Sequence, residues 1–302
     1  MSSFHPDLKV GRFIPKLSFG PRITRALQRR TVRTPAAPDD MLIEDVTAPG
    51  VSLRVYRPRY LEGVAPALLW IHGGGYIGGF PEQDEATSIG FARELGITVA
   101  AVRYRLAPAH PSPAAVEDAY AALRWLVAHA GERGIDPARI AIGGASAGGG
   151  LTAALALYAH DRGEVRPAFQ LLVYPMLDDR TVLRTDLDTR DVRVWTARSN
   201  RFGWTSYLGQ EPGAAGVSPY AAPARRGDLS GLPPAWIGVG SLDLFHDEDL
   251  AYAQRLSQAG VPCEVVVVPG AFHGFDAVLR NREVSRGFRA AQARALRGAL
   301  LT

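Results

Sequence analysis

Ile140-Ala141-Ile142-Gly143-Gly144-Ala145-Ser146-Ala147-Gly148-Gly149-Gly150 reads as a buried strand, a tight glycine turn carrying one serine, and the opening of a helix. The core of the pattern, Gly144-x-Ser146-x-Gly148, suits a sharp strand-to-helix turn that lifts a serine hydroxyl above a sheet. Glycine fits at 144 and 148 because the backbone there is strained and neighbouring segments pass close by. The alanine-rich run from Ala147 to Ala159 propagates a helix, and its amino end offers partial positive charge to a developing anion. Five-residue matches of this kind also arise by chance in a chain with 32 glycines. The reading therefore rests on two further stretches. His72-Gly73-Gly74-Gly75-Tyr76 follows the apolar run Ala67 to Ile71, and His273-Gly274-Phe275 follows the run Glu264 to Val268.

The chain has 302 residues, 47% hydrophobic and 21% charged, which suits one large α/β domain with an insertion. Its net charge of +4 comes from arginine, since Lys9 and Lys16 are the only lysines. The densest basic groups, Arg22 to Arg33 and Arg184 to Arg201, are interrupted by acids or apolar residues rather than interleaved with aromatics on one face, so nucleic-acid binding is not expected. Cys263 is the only cysteine, which excludes an intrachain disulfide and a cysteine metal cluster and suits a reducing compartment. Met1 to Gly20 lacks the apolar core of a secretory signal, and no apolar run reaches membrane-span length. A cytoplasmic location is expected.

Residues 1–40 carry Phe4, Leu8, Phe13, Ile14, Leu17, Phe19, Ile23 and Leu27 at spacings suited to short helices, and read as an N-terminal cap segment rather than a linker. Met41 to Val46 and Val51 to Tyr56 form a hairpin across Ala48-Pro49-Gly50. Ala67 to Ile71 and Thr98 to Val102 are the next strands, the second preceded by a helix that stops at Gly96. Pro113 to Ala130 has helical spacing, and the elbow strand is expected to begin at Arg139, after a turn at Asp136-Pro137. Phe169 to Tyr174, Ala235 to Gly240 and Cys263 to Val268 complete eight strands, with helices at Asp247 to Ala259 and Arg282 to Leu300. Alternation of strands and helices implies a mainly parallel eight-stranded sheet flanked by helices. Between Pro175 and about Ala224 periodicity lapses, and Trp195, Phe202 and Trp204 among many Asp and Arg residues suggest an insertion that covers a site.

A serine hydroxyl is a poor nucleophile near neutrality, so it needs an imidazole as general base, a carboxylate to hold the imidazole, and preformed donors for the oxyanion. His273 sits in a tight loop at the carboxyl end of the last strand, where sites of α/β sheets gather; the other histidines read as glycine-loop, terminal or helix-surface residues. Asp243, two residues beyond the strand Ala235 to Gly240, occupies the equivalent place for the acid, whereas Asp247, Glu248 and Asp249 read as a helix N-terminal cluster. The candidate catalytic set is Ser146, Asp243 and His273.

These stretches together resemble the hormone-sensitive-lipase-like (bacterial family IV) esterases of the α/β-hydrolase superfamily, over residues from about 66 to 280. Carrying the resemblance are His72-Gly73-Gly74-Gly75, Tyr104-Arg105-Leu106-Ala107-Pro108, Pro111-x-Pro113-Ala114-Ala115-x-Glu117-Asp118, Asp136-Pro137-x-Arg139, Gly144-Ala145-Ser146-Ala147-Gly148-Gly149, Ser218-Pro219 and His273-Gly274-Phe275. It implies the α/β-hydrolase fold with a helical cap from residues 1–40 and an insertion at about 176–215, oxyanion N–H groups from Gly74, Gly75 and Ala147, and a loop supported by His72 and Gly73. Two positions depart from the family pattern. Ala145 replaces the usual Asp or Thr before the nucleophile, and Leu244-Phe245 stands where Pro-Leu is usual after the acid.

The expectation is a serine carboxylesterase for esters of short to medium acyl chains, with no cofactor, no metal and a small-molecule ester as its partner. An amidase or deacetylase would use the same residues, and a ligand receptor on this fold would lack a working histidine. The apolar last strand, as a sheet edge, suggests a homodimer.

Overall fold

A computed structural model describes residues 3–16, 18–28 and 36–301. Its centre is one eight-stranded sheet in the order β1-β2-β4-β3-β5-β6-β7-β8. The strands are β1 (Met41–Ala48), β2 (Val51–Pro58), β3 (Ala65–Ile71), β4 (Thr98–Val102), β5 (Ile135–Ala145), β6 (Phe169–Val173), β7 (Ala235–Gly240) and β8 (Cys263–Val268). Strand β2 pairs antiparallel with both β1 and β4; β4, β3 and β5 to β8 pair in parallel, as short strands separated by helices require.

Helices α1 (Pro21–Gln28), α2 (Glu85–Leu95), α3 (Ala114–Ala128), α4 (Ala147–Arg162), α5 (Ala197–Leu208), α6 (His246–Gln258), α7 (Phe275–Val278) and α8 (Glu283–Leu300) complete the regular elements. Gly96 ends α2 in the left-handed conformation, as its place after the last apolar residue predicts. Every residue of β3, β4 and β6 is buried, because helices cover both faces. On one face Leu69, Ile71, Ile142 and Leu172 pack with Leu123, Leu155 and Leu256 of α3, α4 and α6. On the other, Leu68, Trp70, Leu171 and Trp236 pack with Phe91, Leu95, Phe288 and Leu296 of α2 and α8.

Two features differ from the sequence expectation. Strand β5 begins at Ile135, not Arg139, because Ile135 pairs with Ala65 and the register shifts before Ala67 meets Ile140. The bulge leaves Asp136-Pro137 within the strand's length. Secondly, the amino-terminal segment divides. A 3-10 helix (Pro6–Phe13) inserts Leu8, fully buried, and Phe4 into the α8-side core, while Phe13 and Ile23 are exposed. Leu17 and the side chain of Leu27 lie outside the described residues.

Between β6 and β7 the chain leaves the sheet for residues 174–234, which hold α5 and short 3-10 turns. Thr196 caps α5 by accepting from the Ser199 N–H. The insertion is tied down by Asp179, fully buried, whose carboxylate takes a two-point contact from Arg225 at 2.6 and 2.9 Å and also accepts from Gly213 N. Glu248, from the first turn of α6, accepts the N–H groups of Leu177 (2.7 Å) and Asp178 (3.0 Å) and meets the Thr181 hydroxyl. Asp247, Glu248 and Asp249 all fall in the first turn of α6, as the sequence implies, and Glu248 and Asp249 are buried there. Burial pushes the Glu248 carboxyl up to about 8.

Candidate active site

The elbow is fixed by crowding. Ser146 sits at φ 58°, ψ −122°, a conformation that costs on the order of 1–3 kcal/mol for a side-chain-bearing residue. Its N–H donates to Val173 O (2.9 Å), and its carbonyl accepts from Gly150 N and Met176 N, both at 3.0 Å. A Cβ at 148 would fall 2.0 Å from the Ile71 carbonyl, and one at 144 would fall 2.5 Å from both Ile71 O and Gly148 O. The two glycines therefore let α4 begin directly against the end of β3. Gly150, which the sequence left without a role, is equally constrained: its Cβ would meet Met176 O at 2.1 Å.

Strand register brings the remaining groups to the same edge. Strands β5, β6 and β7 are paired through Ala145, Val173 and Gly238, so the loops after β5, β7 and β8 open side by side. Ser146 Oγ lies 2.9 Å from His273 Nε2, and His273 Nδ1 lies 2.8 Å from Asp243 Oδ2. All three residues are buried. An ionised carboxylate can only accept, so Nδ1 carries the hydrogen and Nε2 presents its lone pair to the serine hydroxyl. The other carboxylate oxygen, Asp243 Oδ1, accepts from Phe245 N at 3.0 Å. Phe245 and Tyr174 stand edge-on to the imidazole, with ring centroids 5.2 and 4.9 Å away. By contrast, Asp247 is half-exposed and pairs with Arg184 and His246, away from His273.

The glycine loop faces the serine across the cavity. Gly74 (φ +126°) and Gly75 (φ +62°) hold conformations that side chains rarely adopt, and a Cβ on Gly75 would lie 2.0 Å from the Trp195 ring. Among the described residues the N–H groups of Gly74, Gly75 and Ala147 donate to no protein acceptor. Three unused donors beside a buried serine at the amino end of α4 form a site that can stabilise an oxyanion. His72 is buried beneath them, stacked on Tyr104 at 4.3 Å with Nδ1 2.9 Å from Gly73 O. Burial pushes its pKa down to about 4, so it is neutral near pH 7 and acts as packing. Gly79 gives the ring its room, since a Cβ there would lie 2.5 Å from Nδ1. A Gly73 Cβ would sit 2.9 Å from Ala145 O, the contact that seats the loop on the elbow.

Residues 68–277 match the model of a family described by the alpha/beta hydrolase fold. The chain belongs to that family. Among its relatives, this α/β-hydrolase is 36% identical to esterase LipI of Mycobacterium tuberculosis, over 83% of this chain and 78% of the relative. It is 34% identical to an ethyl acetate hydrolase of Pseudomonas putida, over 74% and 70%. A solved structure of a bacterial heroin esterase superposes with TM-score 0.88 at 39% identity, over 99% of this chain and 98% of that one. These bear out the resemblance to hormone-sensitive-lipase-like esterases.

The α/β-hydrolase's cavity of about 390 Å³ opens above Ser146 and His273, with Phe19, Ile77, Phe80, Val194 and Trp195 among its walls. Two expected wall residues are elsewhere. Trp204 is fully buried under the glycine loop, against Tyr76 and Tyr207 (centroids 5.4 and 6.2 Å), and Phe202 packs against that same core. The helical periodicity of α5 turns them inward, while Trp195, ahead of the helix, reaches the site. From the amino-terminal segment Phe19 and Thr24 line the cavity. Sequence reading missed Tyr174 and Asp84, which also line it; Tyr174 has φ 37° and donates to Asp276 at 2.9 Å.

Proposed function

We propose that the chain hydrolyses carboxylic esters of short to medium acyl length through an acyl-Ser146 intermediate. The observation that supports this most directly is the run of contacts from Ser146 Oγ to His273 Nε2 to Asp243 at 2.9 and 2.8 Å, at the foot of a largely apolar cavity. As the ester carbonyl carbon meets Oγ, the hydroxyl proton passes to Nε2, and Asp243 stabilises the imidazolium. The carbonyl oxygen gathers charge facing the N–H groups of Gly74, Gly75 and Ala147. Imidazolium then returns the proton to the leaving alkoxide, freeing the alcohol. A water molecule, deprotonated by the same imidazole, cleaves the acyl ester and restores the serine.

In this reading residues 1–40 and about 176–215 form the cap that shapes the acyl and alcohol spaces, and 41–302 form the catalytic domain. The enzyme works in the cytoplasm, where its one cysteine stays reduced, and pairs with a second copy through β8. That strand ends the sheet and exposes Val265 and Val267, an edge suited to pairing. Light scattering is expected to give the mass of two chains; one chain at micromolar concentration refutes the dimer. For the chemistry, a fluorophosphonate probe is expected to add to one residue, Ser146, with complete loss of ester hydrolysis. Full labelling elsewhere, or labelling with activity retained, overturns the mechanism.

A further inference from the structure

Among the described residues the wall of the substrate cavity carries one carboxylate. It belongs to Asp84, and among the described lining residues there is no arginine, lysine or other acid. Asp84 stands at the N-cap of α2, where an aspartate ordinarily accepts from the helix's free N–H groups; its side chain makes no such bond. It turns instead to the Trp70 indole, which donates to Oδ2 at 2.9 Å.

Behind this wall is a smaller recess of about 80 Å³, sharing Gln83, Asp84, Ala145, Tyr174 and Ala277 with the cavity. The recess holds a second carboxylate, the buried Asp276, bonded to the Tyr174 hydroxyl. Among the described residues neither carboxylate makes an ion pair. Arg280 and Arg289 line the recess but not the cavity, and Arg289 spends its N–H groups on the backbone carbonyls of Asp276 and Arg280. Gln292, almost fully buried, also lines the recess and leaves its Nε2 without an acceptor, the mark of a space that water or a polar ligand group completes. Burial, with Asp276 nearby, raises the Asp84 pKa to about 6, still ionised above neutrality.

An ionised carboxylate on an apolar cavity wall that makes no ion pair among the described residues favours a ligand that brings a cation. We propose that Asp84 is a specificity-determining residue that selects esters carrying a protonated amine on the acyl or alcohol side. This rests on the ester-hydrolase reading and narrows its substrate class, within short to medium esters, to those that carry a protonated amine.

The test compares dimethylaminoethyl acetate with isoamyl acetate, its carbon isostere, and ethyl dimethylaminobutyrate with its own carbon isostere. Each kcat/KM is divided by that ester's hydroxide-catalysed rate. The wild-type enzyme is expected to favour the amine in at least one pair by about tenfold, a usual size for one partly desolvated charge pair. Asp84→Asn, which keeps an acceptor for Trp70, is expected to bring that ratio near one. Wild-type ratios near one in both pairs overturn the inference, whether or not the variant folds. So does a preference that survives Asp84→Asn. Hydrolysis of none of the four esters by the wild-type enzyme instead overturns the ester-hydrolase reading itself.

Discussion

Asp243 serves two donors at once: Oδ2 holds Nδ1 of His273 at 2.8 Å while Oδ1 accepts from the backbone N–H of Phe245 at 3.0 Å. The second bond locks the carboxylate plane, so the histidine is held in one tautomer and one orientation. Asp247, four residues on, faces Arg184 and His246 instead.

Asp243→Asn keeps the shape but offers an N–H to Nδ1, which favours the wrong tautomer. A loss on the order of 10⁴ in kcat is expected, by analogy with serine proteases. Asp247→Asn removes a helix-end charge worth about 0.3–1 kcal/mol and leaves turnover nearly unchanged. Kinetics of both variants on one ester, with circular dichroism for folding, check this. A severe loss confined to Asp247→Asn would mean the wrong carboxylate is assigned.

Gly75→Ala would drive a methyl group into the Trp195 ring and strain a backbone at φ +62°. Displacing the loop moves its N–H groups off the oxyanion position, and kcat is expected to fall by about 10²–10³, the cost of one lost donor. Steady-state kinetics on a chromogenic acetate read it. An unchanged kcat would place the oxyanion elsewhere.

The 3-10 helix at the amino terminus packs behind the histidine loop. His5 N donates to Gly270 O at 2.9 Å, and a Cβ on Gly11 would lie 2.4 Å from the Phe272 ring, next to His273. Removing residues 1–16 is expected to lower activity far more than helix content, and Leu8→Ala to destabilise by about 2–5 kcal/mol. Wild-type kinetics after the deletion would show that the segment positions nothing.

Much of this was legible because local rules agreed with the global fold. The eight strands, the Gly96 stop and the Gly144-x-Ser146-x-Gly148 turn each carry their own backbone signature, and the sequence order of the loops placed Ser146, Asp243 and His273 at one edge. What escaped were side chains whose surroundings come from distant segments. Phe4 and Leu8 show the same spacing whether they enter a pocket or a core, and the α8-side core takes them. Trp204 and Phe202 are indistinguishable from Trp195 in sequence; the rotation of α5 separates them. Nothing local marks Glu248 as the anchor of residues 177–181, because its partners lie about seventy positions upstream.

That anchor gives a pH dependence. Glu248 has its folded pKa raised from 4.5 to about 8, so folding favours the protonated form. Its contribution to stability is complete below 4.5 and is lost as the pH rises through about 8. Glu248→Gln keeps an acceptor for Leu177 and Asp178 and cannot ionise. Chemical denaturation across this range is expected to show the variant losing less stability than the wild type on the alkaline side. Parallel curves would mean that Glu248 does not titrate there.

The account depends most on the serine at the elbow. Ser146→Ala removes one hydroxyl from a site whose fold is held by backbone bonds and glycine contacts, so the variant is expected to fold with an unchanged circular-dichroism spectrum. Its kcat on a chromogenic acetate is expected to fall by on the order of 10⁴–10⁶. Turnover within about tenfold of wild type in the folded variant would contradict acyl transfer through Ser146.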